Sequence, residues 1–550
     1  MTARRKPKGR AVSDDARLRV RRILGDAPRD REYLIENLHK IQDAEGCLAK
    51  GNLAALAELA NLPFAAVYEV ATFYHHFDVI EDGAPKPAVA VRVCRSLSCE
   101  MAGAKDLMQK LRDALGERAR ILAAPCVGRC AAAPVAVVGQ NAVENAAAET
   151  VAAAFSAGHF APAVPSAQTL AEYRQTGGYE IYRECLSGAR DAESVLAVLE
   201  ESGLRGLGGA GFPAARKWRI VRDIAGDKKI VAVNIDEGEP GTFKDRFYLE
   251  QTPHLFLEGA LIAAWILRAA EIYIYLRDEY HGCRAMLEAE LAALSGADFA
   301  TPKIHLRRGA GAYICGEESA MIESAEGKRG EPRLRPPFVA EVGVFGLPTL
   351  EHNMETLHWV PQILRRGAQW FAGEGRNGRR GLRSFSVSGA VAKPGVHIAP
   401  AGVTVRELID EYCGGMADGE ELYAYLPGGA SGGILPAAMD DIPLDFDVLQ
   451  QRDKDTFIGS AAVIILSARF RARDAALNMM RFFEDESCGQ CTPCRVGTAK
   501  AVKLMQAEKW DAALLEELSS AMADASICGL GQAAPNPVRC VLKHFPREVS

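Results

Sequence analysis

The chain has 550 residues, of which 48% are hydrophobic and 25% charged, and its formal net charge is −6. These values are typical of globular protein and, at ~150 residues per domain, predict about three to five domains. The small negative net charge gives no indication of nucleic-acid binding. The most apolar stretch, 260–267, is far shorter than the ~20 residues of a membrane span. A basic start (Arg4, Arg5, Lys6, Lys8 and Arg10) is interpreted as a short disordered arm, because no long apolar signal core follows it.

The N-terminal part of the chain, up to about position 170, predicts helices followed by a small α/β domain. In chain order the predicted elements are a helical stretch (15–80), a strand (88–93), a helix (104–115), a strand ending near Cys126, a strand (135–138) and a linker (157–168). The linker is indicated by two prolines among small residues.

The remainder changes character twice. Residues 175–380 have a mixed α/β pattern, with predicted strands at 229–233 and 272–276 and Gly-rich segments between helices. Strand patterns dominate 383–467, and the tail from about 470 is helical again.

Eight of the 14 cysteines fall into two groups, and such grouping indicates metal or redox sites in a reducing compartment. The C-terminal group is a triplet, Cys488, Cys491 and Cys494, with a fourth member, Cys528, well beyond it in the chain. A compact triplet with a remote fourth cysteine is typical of a [4Fe–4S] cluster. The alternative is structural zinc, which more often uses two separated pairs.

The N-terminal group consists of two pairs, Cys94 with Cys99 and Cys126 with Cys130. Two pairs from two loops suit either a [2Fe–2S] cluster or zinc. The looser spacing of the first pair favours iron without excluding zinc.

A glycine-rich loop, with Gly206, Gly208, Gly209 and Gly211, formally matches G-x-G-x-x-G. The dinucleotide version needs a strand directly before it, whereas the preceding apolar residues have helical spacing. The loop therefore suits either a helix–helix turn or close backbone contact with a cofactor.

Three features after this loop favour a cofactor. Lys217 follows it, an acidic cluster (234–241) ends a predicted strand, and a further loop (308–318) combines glycines, an aromatic residue and two adjacent carboxylates. Because strand ends are where α/β proteins bind ligands, these segments predict one cofactor pocket.

Segments 202–213, 234–246, 309–318 and 488–495, in this order, resemble the flavin subunit of respiratory complex I. They also resemble the diaphorase subunits of NAD-linked formate dehydrogenases and NAD-reducing hydrogenases. The part of the chain before about position 160 resembles the thioredoxin-like [2Fe–2S] subunit of the same complexes, so two subunits are fused here.

The resemblance implies FMN on the glycine-rich loop, NAD(H) stacked on the flavin, and both iron–sulfur clusters. It implies an FMN-facing set of residues: Gly206, Gly208, Gly209, Gly211, Lys217, Asn234, Asp236, Glu237, Tyr313, Gly316, Glu317, Glu318, Asn353 and Thr356. Phe212, Glu239, Glu318 and Phe345 would face the nicotinamide nucleotide, with Glu239 and Glu318 in catalytic roles. Two positions depart from the family pattern: Leu207 stands where Arg is usual, and His352 replaces the first of two asparagines.

The implied fold is multidomain α/β. Its predicted parts are an N-terminal helical region (1–85), a thioredoxin-like domain (86–160), a Rossmann-like FMN/NADH domain (175–380), a ubiquitin-like β-grasp (SLBB) domain (383–467) and a helical [4Fe–4S] domain (470–550).

Segments 347–353 and 526–532 are most similar to formate dehydrogenase β subunits, as is the fused N-terminal half with all four cysteines. That similarity implies a cytoplasmic enzyme with a separate molybdenum- or tungsten-pterin α subunit carrying further iron–sulfur clusters. A hydrogenase diaphorase, a complex I-like NADH dehydrogenase and a non-enzymatic zinc scaffold are the alternatives. Neither nucleic acid nor a membrane span is predicted.

Overall fold

The computed structural model describes residues 10–550. Arg4, Arg5, Lys6 and Lys8 of the predicted basic arm lie outside the described residues. The N-terminal region is helical, as predicted, with one short parallel strand pair. Its elements are α1 (Asp14–Leu24), α2 (Leu34–Glu45), β1 (Leu48–Ala49), α3 (Lys50–Ala60), α4 (Phe64–Phe73) and β2 (Val79–Ile80). Helix α1 begins where the Ser13 side chain accepts a hydrogen bond from the Ala16 N–H.

The second region contains a four-stranded mixed sheet covered by helices. Its elements are β3 (Val89–Cys94), α5 (Leu97–Met101), α6 (Ala104–Leu115), β4 (Ala119–Ala124), β5 (Ala136–Val138), β6 (Asn141–Val143) and α7 (Ala148–Ser156). The strand order is β4-β3-β5-β6, with only β3 and β4 parallel. Helix α6 has the predicted bounds and buries Leu107, Met108, Leu111 and Leu115 on one face. The predicted linker contains no strand.

The third region is built on a parallel sheet of order β10-β7-β8-β9. Its elements are α8 (Leu170–Gln175), α9 (Glu180–Ser187), α10 (Ala192–Ser202), α11 (Ala214–Asp223), β7 (Ile230–Ile235), α12 (Lys244–Gln251), α13 (Pro253–Leu267), β8 (Glu271–Leu276), α14 (His281–Ser295), β9 (Lys303–Arg308), α15 (Glu318–Ala325), β10 (Thr349–Asn353), α16 (Met354–Arg366) and α17 (Ala368–Gly373). Helix α10 precedes the glycine-rich loop, as the spacing predicted, so this loop does not follow a strand.

The last two regions are a β-rich segment and a helical tail. The β-rich segment comprises β11 (Leu382–Gly389), β12 (Gly395–Pro400), α18 (Val405–Glu407), β13 (Leu422–Leu426), β14 (Leu435–Pro436), α19 (Val448–Arg452) and β15 (Ala462–Ser467), in the order β12-β11-β15-β13-β14. The tail comprises α20 (Ala472–Asp485), α21 (Thr492–Met505), α22 (Ala512–Ala525), α23 (Gly529–Ala533) and α24 (Asn536–His544).

Apolar packing joins regions that the sequence separates. One continuous core contains residues of the parallel sheet, such as Val231, and of the β-rich segment, such as Phe385. A second core joins Leu38 of α2 to Met479 and Phe483 of α20. The β3–β6 sheet has its own core. The change near position 380 is therefore a change of sheet within one shared core, and helix α2 belongs to the same core as helix α20.

In residues 10–550, no helix combines the length and apolarity that crossing a membrane would need.

Tyr74 fastens the N-terminal helices to the parallel-sheet region. Its buried hydroxyl lies 2.7 Å from Ser324 Oγ and 2.8 Å from the Lys328 carbonyl oxygen. Tyr74→Phe removes the hydrogen bond to the Lys328 carbonyl, while Ser324 keeps its bond to the Tyr275 hydroxyl, so the opening free energy of α4 should fall by about 1–3 kcal/mol. Amide hydrogen exchange measures this change. Tyr68→Phe, which removes the hydroxyl of a half-buried residue within α4, is the control, and equal exchange in both variants would contradict the prediction.

Candidate functional site

The polar residues of the predicted pocket meet at the carboxyl ends of β7 and β10. Asn234 and Asn353 are register partners on these parallel strands. The Asn234 side-chain amide donates to the Gly316 carbonyl at 3.0 Å and to Glu351 Oε1 at 2.9 Å. These bonds bring the acidic cluster after β7 against the loop after β9.

The glycine-rich loop lies against the start of α16. The Leu207 N–H donates to Thr356 Oγ1 at 2.9 Å. A Cβ atom on Gly208 would be 2.9 Å from that of Asn353, and one on Gly211, whose φ is +65°, would be 2.6 Å from the Phe446 ring. A side chain does not fit at either position, so only glycine lets the loop approach Asn353 and Phe446 this closely, and Gly208 remains exposed.

Asp236 and Glu237 follow β7 and differ in their partners. Asp236 Oδ2 is buried without a hydrogen-bond partner among the described residues. Glu237 accepts from the Asp245 N–H at 2.8 Å and from the Tyr280 hydroxyl at 2.7 Å. Burial raises the pKa of Glu237 to about 7 and that of Asp236 well above its ordinary value. An unpaired buried oxygen at this edge is a free contact for a ligand hydroxyl or N–H.

Glu239 and Tyr313 join the acidic cluster to the loop after β9. The Tyr313 hydroxyl donates to Glu239 Oε2, and Glu239 Oε1 accepts from the Ser431 N–H at 2.8 Å. A Cβ on Gly238 would be 2.8 Å from the Tyr313 ring. Tyr313 opens a 3₁₀ turn that ends at Gly316.

Glu318 lies between two cations. Lys217 Nζ is 3.5 Å from Glu318 Oε2, and Arg335 Nη1 is 3.2 Å from Oε1. Arg335 also pairs with Glu317, which caps α15 by accepting from the Ser319 and Ala320 N–H groups. Lys217, Glu317 and Glu318 are thus brought together from two segments that lie far apart in the sequence.

Glu351 lies beside Asn234 and Glu318, and the sequence did not indicate it as a site residue. It is 7% exposed, and burial raises its pKa to about 8. Its position in the short strand β10 gives no sequence signal of its own, because its partners Asn234 and Glu318 are distant in the chain.

The two predicted aromatic contacts are placed differently. Phe212, next to the glycine-rich loop, is 40% exposed, with the Arg216 guanidinium over its ring. Phe345 is 44% exposed, but its contacts are with the Tyr273 ring and Glu326 Oε1. Among the hydrogen bonds and ring contacts of residues 10–550, none joins Phe345 to the other predicted site residues.

The departures at His352 and Leu207 have structural explanations. His352 Nε2 accepts from the Trp218 indole N–H at 2.7 Å, and burial lowers the pKa of His352 well below its ordinary value. It is a neutral core residue that faces away from the site. Leu207 is 5% exposed and packs in the same core as Trp218.

A buried group of charged side chains holds the Asn353 side chain by hydrogen bonds. Lys244 Nζ lies 2.7 Å from Asp245 Oδ1, 3.1 Å from Glu355 Oε2 and 3.0 Å from Asn353 Oδ1, and the Asn353 amide donates to Asp245 Oδ2 at 2.6 Å. Each charge is paired, which offsets the cost of burying it. The group fixes the Asn353 side chain and was not indicated by the sequence.

The four N-terminal cysteines are buried, unbridged and mutually close. Cys126 Sγ lies 3.3 Å from Cys130 Sγ and accepts from the Gly128 N–H at 3.4 Å. Hydrogen bonds from the Cys130 and Cys94 thiols lower the pKa of Cys126 well below its ordinary value. Bonds to Cys126 and Cys99 raise the pKa of Cys94.

The four C-terminal cysteines line one cavity beside Ile314 and Leu530. Cys491 immediately precedes α21, and Cys528 immediately precedes α23. Burial raises the pKa of Cys528 to about 12, although the Leu530 and Gly531 N–H groups point to its sulfur and act in the opposite direction.

These arrangements fit the cofactors that the sequence implies. Both cysteine groups offer four unbridged sulfurs with N–H donors nearby, as iron–sulfur ligation requires. No set of three or more His, Cys, Asp or Glu side chains in residues 10–550 could hold a single metal ion. The four thiolates of a [4Fe–4S] cluster bind four iron atoms and those of a [2Fe–2S] cluster bind two, so four sulfurs need not converge on one point. The glycine cradle and the unpaired Asp236 oxygen fit FMN.

Arg277, directly after β8, connects the predicted flavin site with the N-terminal cysteines. Its guanidinium donates to the Cys126 carbonyl at 2.6 Å and to the Glu237 carbonyl. Arg246 Nε donates to the Gly128 carbonyl at 2.8 Å. The loop holding Cys126 is therefore bonded directly to the acidic cluster after β7.

Comparison with known families matches three parts of the chain in order. Residues 20–158 match the thioredoxin-like [2Fe–2S] ferredoxin family, residues 199–362 the Nuo51 FMN-binding domain, and residues 474–550 the NADH-ubiquinone oxidoreductase-F iron–sulfur binding region. The chain thus contains an FMN-binding domain, a thioredoxin-like [2Fe–2S] domain and a [4Fe–4S] domain.

Relatives and solved structures agree with these matches. The second F-type subunit of the NADH-quinone oxidoreductase of Rhizobium meliloti is 40% identical over 70% of this chain and 94% of its own length. The mitochondrial 51 kDa subunit of NADH-ubiquinone oxidoreductase from Neurospora crassa is 38% identical over 71% and 82%. A chain of an NAD⁺-reducing [NiFe]-hydrogenase in the H₂-reduced state superposes with a TM-score of 0.83 at 32% identity, covering 95% of this chain and 93% of that one. The chain therefore belongs to the family of the F-type, FMN-binding subunits of NADH-quinone oxidoreductases, with a thioredoxin-like [2Fe–2S] domain fused ahead of it.

Proposed function

We propose that this chain is the diaphorase subunit of a cytoplasmic NAD⁺-dependent formate dehydrogenase. In this role it exchanges electrons between NAD⁺/NADH and iron–sulfur clusters through FMN. The observation that carries the diaphorase role is the meeting of the glycine-rich loop, the acidic cluster and Glu318 at one sheet edge, with Arg277 connecting this edge to the Cys126 loop.

In this proposal, different residues at this edge contact different parts of FMN. Bound FMN would convert between two-electron hydride transfer and one-electron transfer. Lys217, whose side chain is 25% exposed, would approach the phosphate. The glycines would let the backbone lie against the flavin ring; they are Gly206, Gly208, Gly209, Gly211 and Gly316. The polar residues would bond the polar groups of the flavin; they are Asn234, Asp236, Glu237, Asn353 and Thr356.

Glu239, Glu318 and Phe212 would position the nicotinamide nucleotide. Phe212 presents an exposed ring that suits stacking. Glu318 is held between Lys217 and Arg335, so its carboxylate is fixed before the nucleotide arrives. Phe345 would join them only after its segment moved, because its contacts are with Tyr273 and Glu326.

The assignment to formate dehydrogenase depends on segments 347–353 and 526–532 and on the complete N-terminal cysteine set. The partner would then be a molybdenum- or tungsten-pterin α subunit with further iron–sulfur clusters. The β-rich segment would be an SLBB domain. The second candidate is the diaphorase subunit of an NAD⁺-reducing hydrogenase, favoured by the 95% coverage of this chain in the superposition.

Cys491→Ala should remove about four iron atoms per chain, because three thiolates hold a [4Fe–4S] cluster poorly. NADH should still bleach the flavin under anaerobic conditions, since the flavin site is built from other residues. Iron analysis and anaerobic absorbance measure the two effects. Cys413→Ala, at a buried cysteine outside both groups, should keep its iron; unchanged iron in Cys491→Ala contradicts the ligand assignment.

Glu318→Gln should slow flavin reduction by NADH about tenfold, equivalent to ~1.4 kcal/mol, because a neutral amide loses the fixed charge between Lys217 and Arg335. Anaerobic stopped-flow absorbance measures the rate. The matched control is Glu288→Gln, on the exposed face of α14, which should react like the unmodified protein. Equal rates in the two variants would remove Glu318 from the proposed role.

Purification of the native complex under anaerobic conditions separates the two candidate partners. A formate dehydrogenase should contain molybdenum or tungsten with a pterin and should reduce NAD⁺ with formate. Nickel in the purified complex, with hydrogen-dependent NAD⁺ reduction, would replace the first candidate with the second.

A further inference from the structure

A cavity of about 230 Å³ lies beside the glycine-rich loop, apart from the predicted flavin contacts. One wall is formed by Gly203, Leu204, Arg205 and Leu207, at and just before the start of this loop, and the other by the segment from the end of α17 into β11. None of the residues predicted to contact FMN or the nicotinamide lines it. The cavity therefore has no role in the proposed function.

The walls of this cavity are strongly basic. Four arginines line it, Arg205, Arg379, Arg380 and Arg383, and the only acidic lining residue is Asp445. The lining thus has an excess of three positive charges. Counting Asp447, which pairs with Arg205 at 2.8 Å from outside the lining, still leaves an excess of two.

Three of the four guanidinium groups are held in fixed positions. Arg383, 5% exposed, lies 3.9 Å from the centre of the Phe446 ring and donates to Asp445 Oδ1. Arg379 Nε donates to Asp445 Oδ2 at 2.6 Å, and Arg205 lies 4.8 Å from the centre of the same ring. Groups fixed in advance lose little entropy when a ligand binds.

Arg380 is the exception. It is exposed, and none of the hydrogen bonds or ion pairs found in residues 10–550 involves its guanidinium. It lies at the cavity with all of its donors available, next to three arginines that are only partly neutralised. Guanidinium groups bind tetrahedral oxyanions in a bidentate manner and are the usual recognition element for phosphate.

We propose that this cavity binds a phosphate group, either free phosphate or the phosphate of a small ester such as a nucleoside monophosphate. The volume is below the ~300 Å³ at which pockets for drug-sized ligands begin, so a whole dinucleotide does not fit. Arg380 provides the unpaired contact, and the fixed arginines provide the surrounding positive potential.

The test is equilibrium dialysis of the full-length, FMN-loaded protein with radiolabelled inorganic phosphate and, separately, with AMP. Wild-type protein should bind at one saturable site, and NADH should not displace the ligand. Saturable binding of phosphate itself indicates free phosphate as the ligand, and binding of AMP alone indicates an ester. Arg380→Gln should weaken the binding about tenfold, the loss of one charge-assisted contact, while Arg380→Lys should weaken it less.

Arg469→Gln is the matched control, because the Arg469 side chain is 77% exposed and pairs with Glu420 elsewhere on the surface. It should bind like wild type. The proposal is overturned if wild-type protein binds neither probe saturably, if NADH displaces the bound probe, or if Arg380→Gln binds as tightly as Arg469→Gln.

Discussion

One buried cation holds the two redox regions against each other. Arg277 is 4% exposed, and its charge is compensated by Glu279 at 3.0 Å together with the carbonyls of Cys126 and Glu237. A buried guanidinium without these partners would be costly, so the Cys126 loop and the acidic cluster after β7 must stay together. This contact and the bond from Arg246 to the Gly128 carbonyl set the position of the N-terminal sulfurs relative to the predicted flavin site.

The second constraint is the close approach of backbone segments at the sheet edge. Gly208 faces Asn353, Gly238 faces Tyr313 and Gly211 faces Phe446, each at a separation that leaves no room for a Cβ. These contacts hold the glycine-rich loop, the acidic cluster and the loop after β9 close together. The buried Lys244 group then fixes the Asn353 side chain from within the core. Rigid neighbours of this kind let an electron-transfer site keep its geometry between turnovers.

Local patterns allowed much of this architecture to be predicted. The sequence predicts helix α6 with the correct bounds. It predicts strands β7 and β8 with bounds that differ from the observed ones by at most two residues. The helix before the glycine-rich loop was predicted too, because Val195, Leu196 and Leu199 have helical spacing and are buried on one face. Cysteine spacing separated the eight grouped thiols from the scattered ones.

Contacts between distant segments could not be predicted in the same way. Arg277, Glu351 and Lys244 have ordinary local surroundings in the sequence, and their importance arises only from partners far away in the chain. Similarly, the sequence divides 175–380 from 383–467, whereas folding buries both in one core. His352 appeared to be a changed ligand contact, but its bond to Trp218 makes it a core residue.

In the proposed function, one chain joins a flavin to two kinds of iron–sulfur cluster. An anaerobic titration with NADH, followed by flavin absorbance and by electron paramagnetic resonance, tests this arrangement. We expect bleached flavin and two distinct reduced-cluster signals, from about two and about four iron atoms per chain. Stoichiometric zinc in a colourless protein, with no flavin bleaching, would contradict it.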